Sequence, residues 1–339
     1  MAAKHRLRAA AVTAGALLPP AGMRALFSRL VGARRLSLCL HRVQPTRRPG
    51  ELFPAMSIHP SSLDDLIDFL LSTRERSQPW LTVSFDDGYA DSATYIESRA
   101  QRYPDVEWLF FVCPAKVEHR AGFRWDLAEQ RLLADAGLDV DREMSEGVDL
   151  SHENRREELR EVAAMPQYRL AELEQCRQLE RLPNVTLGNH TNSHIKPVLL
   201  TPEQARSEYE ASIRDFERLF GPHRHFAFPF GTPEVEFDAS HVAVLRQRGE
   251  DFLMWSTEQR PYEPSERRPR AVLPRFPVDG THTWRQAAFD LIVYTARAKA
   301  RATAPRYAEG LISSVDTPGS EPLGKGQSAN ADAERAAGP

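Results

Sequence analysis

The chain has 339 residues, 41% of them hydrophobic and 27% charged, which is typical of a globular protein with room for one large domain or two ordinary ones. Its formal net charge of -3 at pH 7 gives no indication of nucleic-acid binding, so we expect no nucleic-acid partner. Three widely spaced cysteines exclude a disulfide framework and a thiolate zinc site, and they fit a reducing compartment such as the cytoplasm.

The N-terminal segment, residues 1–33, begins with basic residues and continues as an alanine-rich stretch. This pattern is compatible with a secretion signal, which would place the protein in the periplasm or outside the cell. It is equally compatible with a short amphipathic helix, with Met23, Leu26 and Phe27, that rests on a membrane or on the domain. We therefore expect a cytoplasmic protein with peripheral membrane contact, with export as the alternative. No stretch approaches the roughly 20 apolar residues of a membrane span.

The next part of the chain predicts strands alternating with a helix. The apolar runs RRLSLCLH (34–41), PWLTVSF (79–85) and VEWLFFVC (106–113) are typical of buried strands. Between the first two, HPSSLDDLIDFLLS (59–72) predicts a helix that begins at Ser62 as its N-cap. The apolar stripe of this helix consists of Leu63, Leu66, Ile67, Leu70 and Leu71.

Residues 114–182 are rich in Glu, Arg, Leu and Ala and predict a mostly helical insertion with a solvated charged face. NVTLGNH (184–190) then predicts a strand. The clearest helix begins at the N-cap Thr201, with Gln204 completing a capping box, and ends at Gly221. The remaining predicted elements are a strand and turn at 225–231, a helix at 240–249, strands at 251–257 and 271–278, and a helix at 283–301.

Strands alternating with helices predict an α/β domain with a largely parallel sheet over residues 34–303. In such sheets the binding and catalytic residues lie at the C-terminal ends of the strands. From residue 304 to 339 the chain contains mainly Ala, Gly, Ser, Pro and scattered charges, which predicts a disordered tail.

Two pairs of polar residues follow predicted strands. In SFDDG, Asp86 and Asp87 end a strand, and the commonest explanation of Asp-Asp-Gly there is a turn. In GNHTNSHIKP, His190 and His194 are four residues apart, a spacing that suits a metal ion, although each histidine alone is more often structural. Together, the histidines and one carboxylate would form a three-ligand zinc-type site that leaves a position for water. The second carboxylate could then accept a proton from that water.

SFDDG and HTNSH resemble the first two motifs of the polysaccharide deacetylase family, the NodB-homology group. FAFPFG (226–231) resembles the third motif, and DFLMWST and LPRFPV resemble later strands of the family. The resemblance covers residues 36–300 apart from the insertion. It implies a distorted (β/α) barrel of seven strands and a metal-dependent enzyme that removes acetyl groups from N-acetylated sugars.

The resemblance also implies roles for single residues. Asp86 matches the general base and Arg275 the arginine that orients it, with a surface salt bridge as the alternative for Arg275. The implied ligands of a divalent metal, for which we expect Zn²⁺, are Asp87, His190 and His194. The implied walls of the substrate groove are Phe228, Pro229 and Phe230, which could equally form an apolar turn on the barrel rim. Trp255 fits either the groove or the core.

The general acid departs from the common family pattern. Many members end with a Leu-x-His motif that protonates the leaving amine, whereas only His282 follows Arg275 here. LSLCLHRV near the N-terminus instead resembles a branch with circularly permuted strands, in which an N-terminal strand carries this histidine. The resemblance therefore assigns the acid to His41, with His282 in reserve. The alternative for His41 is a strand-end histidine without a catalytic role.

The implied substrate is a carbohydrate, with an N-acetylated amino sugar of a polysaccharide or glycan precursor as our leading expectation. One alternative is a deacylase that acts on a small molecule or a formylated amino sugar. Another is a non-catalytic carbohydrate-binding barrel. The intact pairs of aspartates and histidines disfavour the non-catalytic alternative.

Overall fold

The computed structural model describes residues 17–47, 51–73, 80–134, 154–247 and 252–301. Its strands are β1 Leu36–Leu40, β2 Arg42–Val43, β3 Ser57–Ile58, β4 Leu81–Phe85, β5 Val106–Val112, β6 Val185–Asn189, β7 His225–Ala227, β8 Leu253–Trp255, β9 Val272–Leu273 and β10 Phe276–Pro277. Its α-helices are α1 Pro20–Val31, α2 Pro60–Leu71, α3 Ala90–Arg99, α4 Pro114–His119, α5 Arg124–Ala134, α6 Asn154–Ala164, α7 Leu173–Glu180, α8 Pro202–Phe220, α9 Ala239–Gln247 and α10 Trp284–Arg301.

Eight of these strands form one sheet that curls into a distorted barrel. Their order is β10, β1, β4, β5, β6, β7, β8, β9, and neighbouring strands are parallel. β9 and β10 lie at opposite edges of this order, yet only Pro274 and Arg275 separate them along the chain. Three Cα steps span at most roughly 11 Å, so the two edges of the sheet must lie close together. The α/β barrel prediction is therefore confirmed.

The sheet has eight strands rather than the expected seven. The predicted strand at 271–278 is in fact two strands, because Pro274 cannot donate a ladder hydrogen bond and interrupts the run. β9 pairs with β8 at one edge of the sheet, and β10 pairs with β1 at the opposite edge. Pro274 and Arg275, the two-residue link between these strands, therefore connect the two edges and close the barrel.

The capping prediction for α8 is confirmed, whereas that for α2 is wrong. Gln204 N donates to Thr201 Oγ1 at 3.3 Å and Thr201 N donates to Gln204 Oε1 at 2.9 Å, as a capping box requires. α2 begins at Pro60 rather than after Ser62, and its N-cap is His59. Proline is favoured in the first turn because its missing N–H would have no intrahelical partner. The predicted apolar stripe of α2 is buried.

Part of the segment predicted as an insertion packs against the barrel itself. In α7, Cys176 and Leu179 are fully buried in the main core, beside residues of β6. A separate small cluster joins α5 and α6 through Leu127, Val162 and Tyr168. The helices after β5 thus include one that covers the sheet and two that form a satellite layer.

Helix α1 rests on the domain. Met23, Phe27 and Val31 are buried in the main core, and the Phe27 ring lies 6.1 Å from that of Phe69. Leu26 is 37% exposed. Among the described helices, none combines the length and apolar character needed to cross a bilayer. The first sixteen residues of the N-terminal segment and the predicted disordered tail at 304–339 lie outside the described residues.

We expect Phe27→Ala to lower the free energy of unfolding by about 3–5 kcal/mol, because it opens a cavity under α1. Leu26→Ala, the control on the exposed face of the same helix, should change it by about 0.5 kcal/mol or less. Urea denaturation of the two variants measures both effects. If both variants lose little stability and by equal amounts, α1 is not part of the unit that unfolds cooperatively.

Candidate active site

The C-terminal ends of β1, β4 and β6 bring the candidate residues to one edge of the barrel. His41 directly follows β1, Asp86 and Asp87 follow β4, and His190 follows β6. Since all of these strands are parallel, their C-terminal ends open on the same side. The site is therefore assembled where the alternation of strands and helices predicts it.

Asp87, His190 and His194 form a compact group. One ligand atom from each lies within 4.8 Å of the others. The Nε2 atom of His194 is 3.0 Å from Asp87 Oδ1, and that of His190 is 3.6 Å from it. Asp87 and His190 are each 1% exposed. A buried carboxylate thus faces two imidazoles.

This group fits a divalent cation. Although both histidines lie close to Asp87, neither of its carboxylate oxygens accepts a well-directed hydrogen bond within the described part of the chain, and a buried charge that is not compensated is costly. His190 Nδ1 donates to the carbonyl of Ala227 at 2.8 Å, so its Nε2 carries the lone pair that faces the site. Burial lowers the pKa of His190 to about 4, which favours the neutral ring. One carboxylate and two imidazoles are a donor set typical of zinc.

Arg275 holds Asp86 from inside the barrel. Its Nη1 donates to Asp86 Oδ1 at 2.6 Å and its Nη2 to Oδ2 at 3.0 Å, and Arg275 is fully buried. Nη1 also donates to Ser84 Oγ, and Nε donates to the carbonyl of Ser256. Burial alone would raise the pKa of Asp86, but the charge of Arg275, its hydrogen bonds and the nearby His190 and His41 together outweigh burial and hold the pKa below its usual range. Asp86 is therefore ionised at neutral pH.

His41 lies beside this pair, whereas His282 makes its contacts elsewhere. A ring nitrogen of His41, Cys39 Sγ and a carboxylate oxygen of Asp86 lie within 4.8 Å of one another. His282 Nδ1 is instead 3.0 Å from Asp290 Oδ2, on α10. Of the two histidines considered for the acid, the structure brings His41 next to Asp86.

Helix α8 fixes the loop that carries His194. Glu208 Oε1 accepts hydrogen bonds from Asn192 N at 2.9 Å, Ser193 N at 2.7 Å and Ser193 Oγ at 2.8 Å. Asp215 accepts from the Asn192 side chain at 2.8 Å. A single carboxylate of the capped helix therefore satisfies three donors of the loop and restrains its path.

Several site residues have left-handed backbone conformations. φ is 73° at Asp87, 65° at Thr191, 56° at His194 and 63° at Phe230. Such conformations cost roughly 1–3 kcal/mol each for ordinary residues and persist where surrounding contacts enforce them. Their concentration around one group is typical of a functional site.

The residues predicted to wall the groove are not equally placed. Phe228, Pro229 and Trp255 are buried, whereas Phe230 is 45% exposed, with its ring 5.2 Å from that of His194. Trp255 packs in the interior, where its Nε1 donates to His225 Nδ1 at 3.1 Å. Only Phe230 of these four therefore combines exposure with contact to the Asp87 group.

Sequence analysis missed two aromatic neighbours of the site. Phe123 and Trp125, at the start of α5, lie 5.4 Å and 4.9 Å from the His194 ring, measured between centroids. Their only sequence signal is the pair of aromatic residues in GFRW (122–125), within a segment whose composition indicates solvated helices. The contact with His194 spans about 70 residues of chain, so no local pattern predicts it.

Comparisons with known proteins indicate the family and the fold. A family model described as polysaccharide deacetylase matches residues 73–252, slightly more than half of the chain. The fold is similar to that of a polysaccharide deacetylase from Bacillus cereus, with a TM-score of 0.50 and 13% identity, covering 76% of this chain and 69% of that chain. IcaB from Ammonifex degensii has a TM-score of 0.49 and 18% identity, covering 77% of this chain and 98% of that chain. A search of curated proteins gave no match.

We expect Glu208→Ala to weaken Zn²⁺ binding about 10–100-fold, because the loop that carries His194 loses the acceptor of three hydrogen bonds. Glu210→Ala removes the same charge two residues along the helix and should leave the affinity unchanged. Competition with a chromophoric chelator measures both dissociation constants. Equal affinities in the two variants would contradict a role for α8 in holding this loop.

Proposed function

The chain belongs to the polysaccharide deacetylase family and is therefore a hydrolase that acts on a carbon–nitrogen bond other than a peptide bond, and we propose that it removes an N-acetyl group from an amino sugar. The proposed substrate is a polysaccharide or a glycan precursor, and the proposed cofactor is Zn²⁺. The observation that carries the proposal is the grouping of Asp87, His190 and His194 within 4.8 Å, beside an Asp86 held by Arg275.

The metal would be held by Asp87, His190 and His194. When bound, it would polarise the acetyl carbonyl and make water acidic enough to react near neutral pH. Hydrogen bonds within the chain hold the metal-binding histidines in position. The bond from His190 to Ala227 fixes one imidazole, and the bonds from the 192–193 loop to Glu208 fix the segment that carries the other.

Asp86 is the general base in this proposal. It is ionised and immobilised, because Arg275 donates to both of its oxygens. It accepts a proton from the attacking water, whose oxygen forms the new bond to the acetyl carbon. Arg275 thus acts as a positioning residue, since it orients the base and does not itself contact the reacting atoms.

His41 is the proposed general acid. The carbon–nitrogen bond breaks readily only if the leaving nitrogen gains a proton, because an amide anion is a poor leaving group. A His41 ring nitrogen lies beside Asp86, close enough for the base and the acid to serve one bound amide from neighbouring positions. The products are acetate and the ammonium form of the sugar amine, because the leaving nitrogen takes one proton from His41 and one from the nascent acetic acid. The proton accepted by Asp86 then restores His41, so one water is consumed and charge balances.

The backbone after Asp87 is the proposed site for the developing oxyanion. Gly88 O accepts from Ala171 N at 2.8 Å and Ala90 N donates to Arg169 O at 3.0 Å, which fixes the backbone on both sides of Tyr89. Gly88 has φ 78°, a conformation that glycine adopts without steric cost. We propose that an amide of Gly88 or Tyr89 donates to the oxyanion.

We expect the active-site variants to separate into two classes. Asp87→Ala should lose the metal, because a ligand is removed. Asp86→Asn and His41→Ala should keep about one Zn²⁺ per chain but release acetate from a chitooligosaccharide about 10²–10⁴-fold more slowly. His282→Ala is the control and should retain both properties. Metal analysis and acetate release on the same preparations measure the outcome.

The wild-type protein distinguishes the remaining possibilities. Metal without acetate release would contradict the N-acetyl substrate and direct the search to formylated and other acylated amino sugars. Absence of metal under saturating Zn²⁺ would contradict the hydrolytic mechanism and favour a carbohydrate-binding protein. If His282→Ala loses activity and His41→Ala retains it, His282 is the general acid instead of His41.

A further inference from the structure

A buried polar network joins α5 to the loop after β4, and the proposed mechanism gives its side chains no role. Tyr89 Oη lies 3.0 Å from each carboxylate oxygen of Asp126 and accepts a hydrogen bond from Trp125 Nε1 at 2.7 Å. Phe123 N also donates to Asp126, at 3.2 Å. Tyr89 is fully buried and Asp126 is 2% exposed. The start of α5 is therefore tied to the residue two positions after Asp87.

The same tyrosine is contacted by the residue that follows the proposed acid. The Arg42 guanidinium lies 4.2 Å above the Tyr89 ring and pairs with Asp91 at 2.9 Å. Arg42 directly follows His41 and is 4% exposed. Tyr89 thus links three segments: the start of β2, the loop after β4 and the start of α5.

The network sets the position of the Trp125 ring. Trp125 stacks on Phe123 with centroids 4.3 Å apart and meets the His194 ring edge-on at 4.9 Å. Trp125 is half-buried. Phe230, from a different segment, contacts the same histidine at 5.2 Å. Two aromatic rings with exposed surface therefore adjoin one of the proposed metal ligands.

We propose that Trp125 is a specificity-determining residue that contacts the sugar of the bound substrate, and that Tyr89 and Asp126 are positioning residues that hold it there. This rests on the proposed function, because it concerns the substrate of that same site. The indole N–H of Trp125 is already donated to Tyr89, so the ring offers only apolar surface to a ligand. Aromatic surface with few polar groups suits the C–H face of a sugar ring.

The kinetic test uses a chitooligosaccharide and compares kcat with KM. Trp125→Leu should raise KM about tenfold and change kcat less than about threefold, with Zn²⁺ content unchanged, because contact with the sugar away from the reacting bond is lost. Trp284→Phe is the control, since Trp284 is a partly buried tryptophan that packs on Phe69 instead. It should leave KM unchanged.

A double-mutant cycle tests the positioning residues. Tyr89→Phe removes the hydroxyl that accepts from Trp125, so it should raise KM in the wild-type background. In the Trp125→Leu background it should have no further effect, because no indole remains to be held. Additive effects of the two substitutions on KM would overturn the positioning role of Tyr89.

Calorimetric binding of the same oligosaccharide to the Zn²⁺-loaded protein separates this inference from the proposed function. If the wild type binds the sugar but releases no acetate, the proposed reaction fails, and a Trp125→Leu dissociation constant about tenfold weaker still supports the contact. Equal dissociation constants for the wild type and Trp125→Leu overturn the proposed contact between Trp125 and the sugar. Loss of Zn²⁺ or of kcat in Trp125→Leu also overturns it, because Trp125 would then support His194 rather than the sugar. Absence of sugar binding by the wild type overturns both proposals.

Discussion

The ion pair between Arg275 and Asp86 is the interaction on which the rest of the structure depends. Arg275 lies in the two-residue link between the edge strands of the barrel, and its guanidinium is fully buried. Breaking a buried pair by removing one partner typically costs about 3–5 kcal/mol, because the other charge is left uncompensated. A residue of the link between the two edges of the sheet therefore also sets the ionisation of the base.

Around this pair, the site combines rigid strands with restrained loops. The strands deliver His41, Asp86 and His190, and the loop geometry that places Asp87 and His194 requires left-handed backbone. That strain is offset by contacts from outside the sheet, such as the three hydrogen bonds accepted by Glu208. The helices of this barrel thus do more than cover apolar strands, since they also maintain the positions of polar ligands.

Local patterns predicted the elements that depend on local physics. The start of α8 could be read from its capping box and its end from Gly221, and the Asp-Asp and His-x3-His motifs could be read from their position after apolar runs. The two strands on either side of Pro274 could not be separated, because their partners, β8 and β1, lie far away in the chain. The approach of Trp125 to His194 and the burial of Trp255 likewise arise only from tertiary packing.

The position of Arg275 in the chain has a consequence for synthesis on the ribosome. The aspartates and both histidines of the Asp87 group are translated long before β10, the strand that completes the sheet. Until Arg275 emerges, a nascent chain that collapses around β4 would have to bury the charge of Asp86 without a partner or leave it in water. Vectorial folding of this domain should therefore stall in an open state, and the barrel should close in a late step when its C-terminal strands become available.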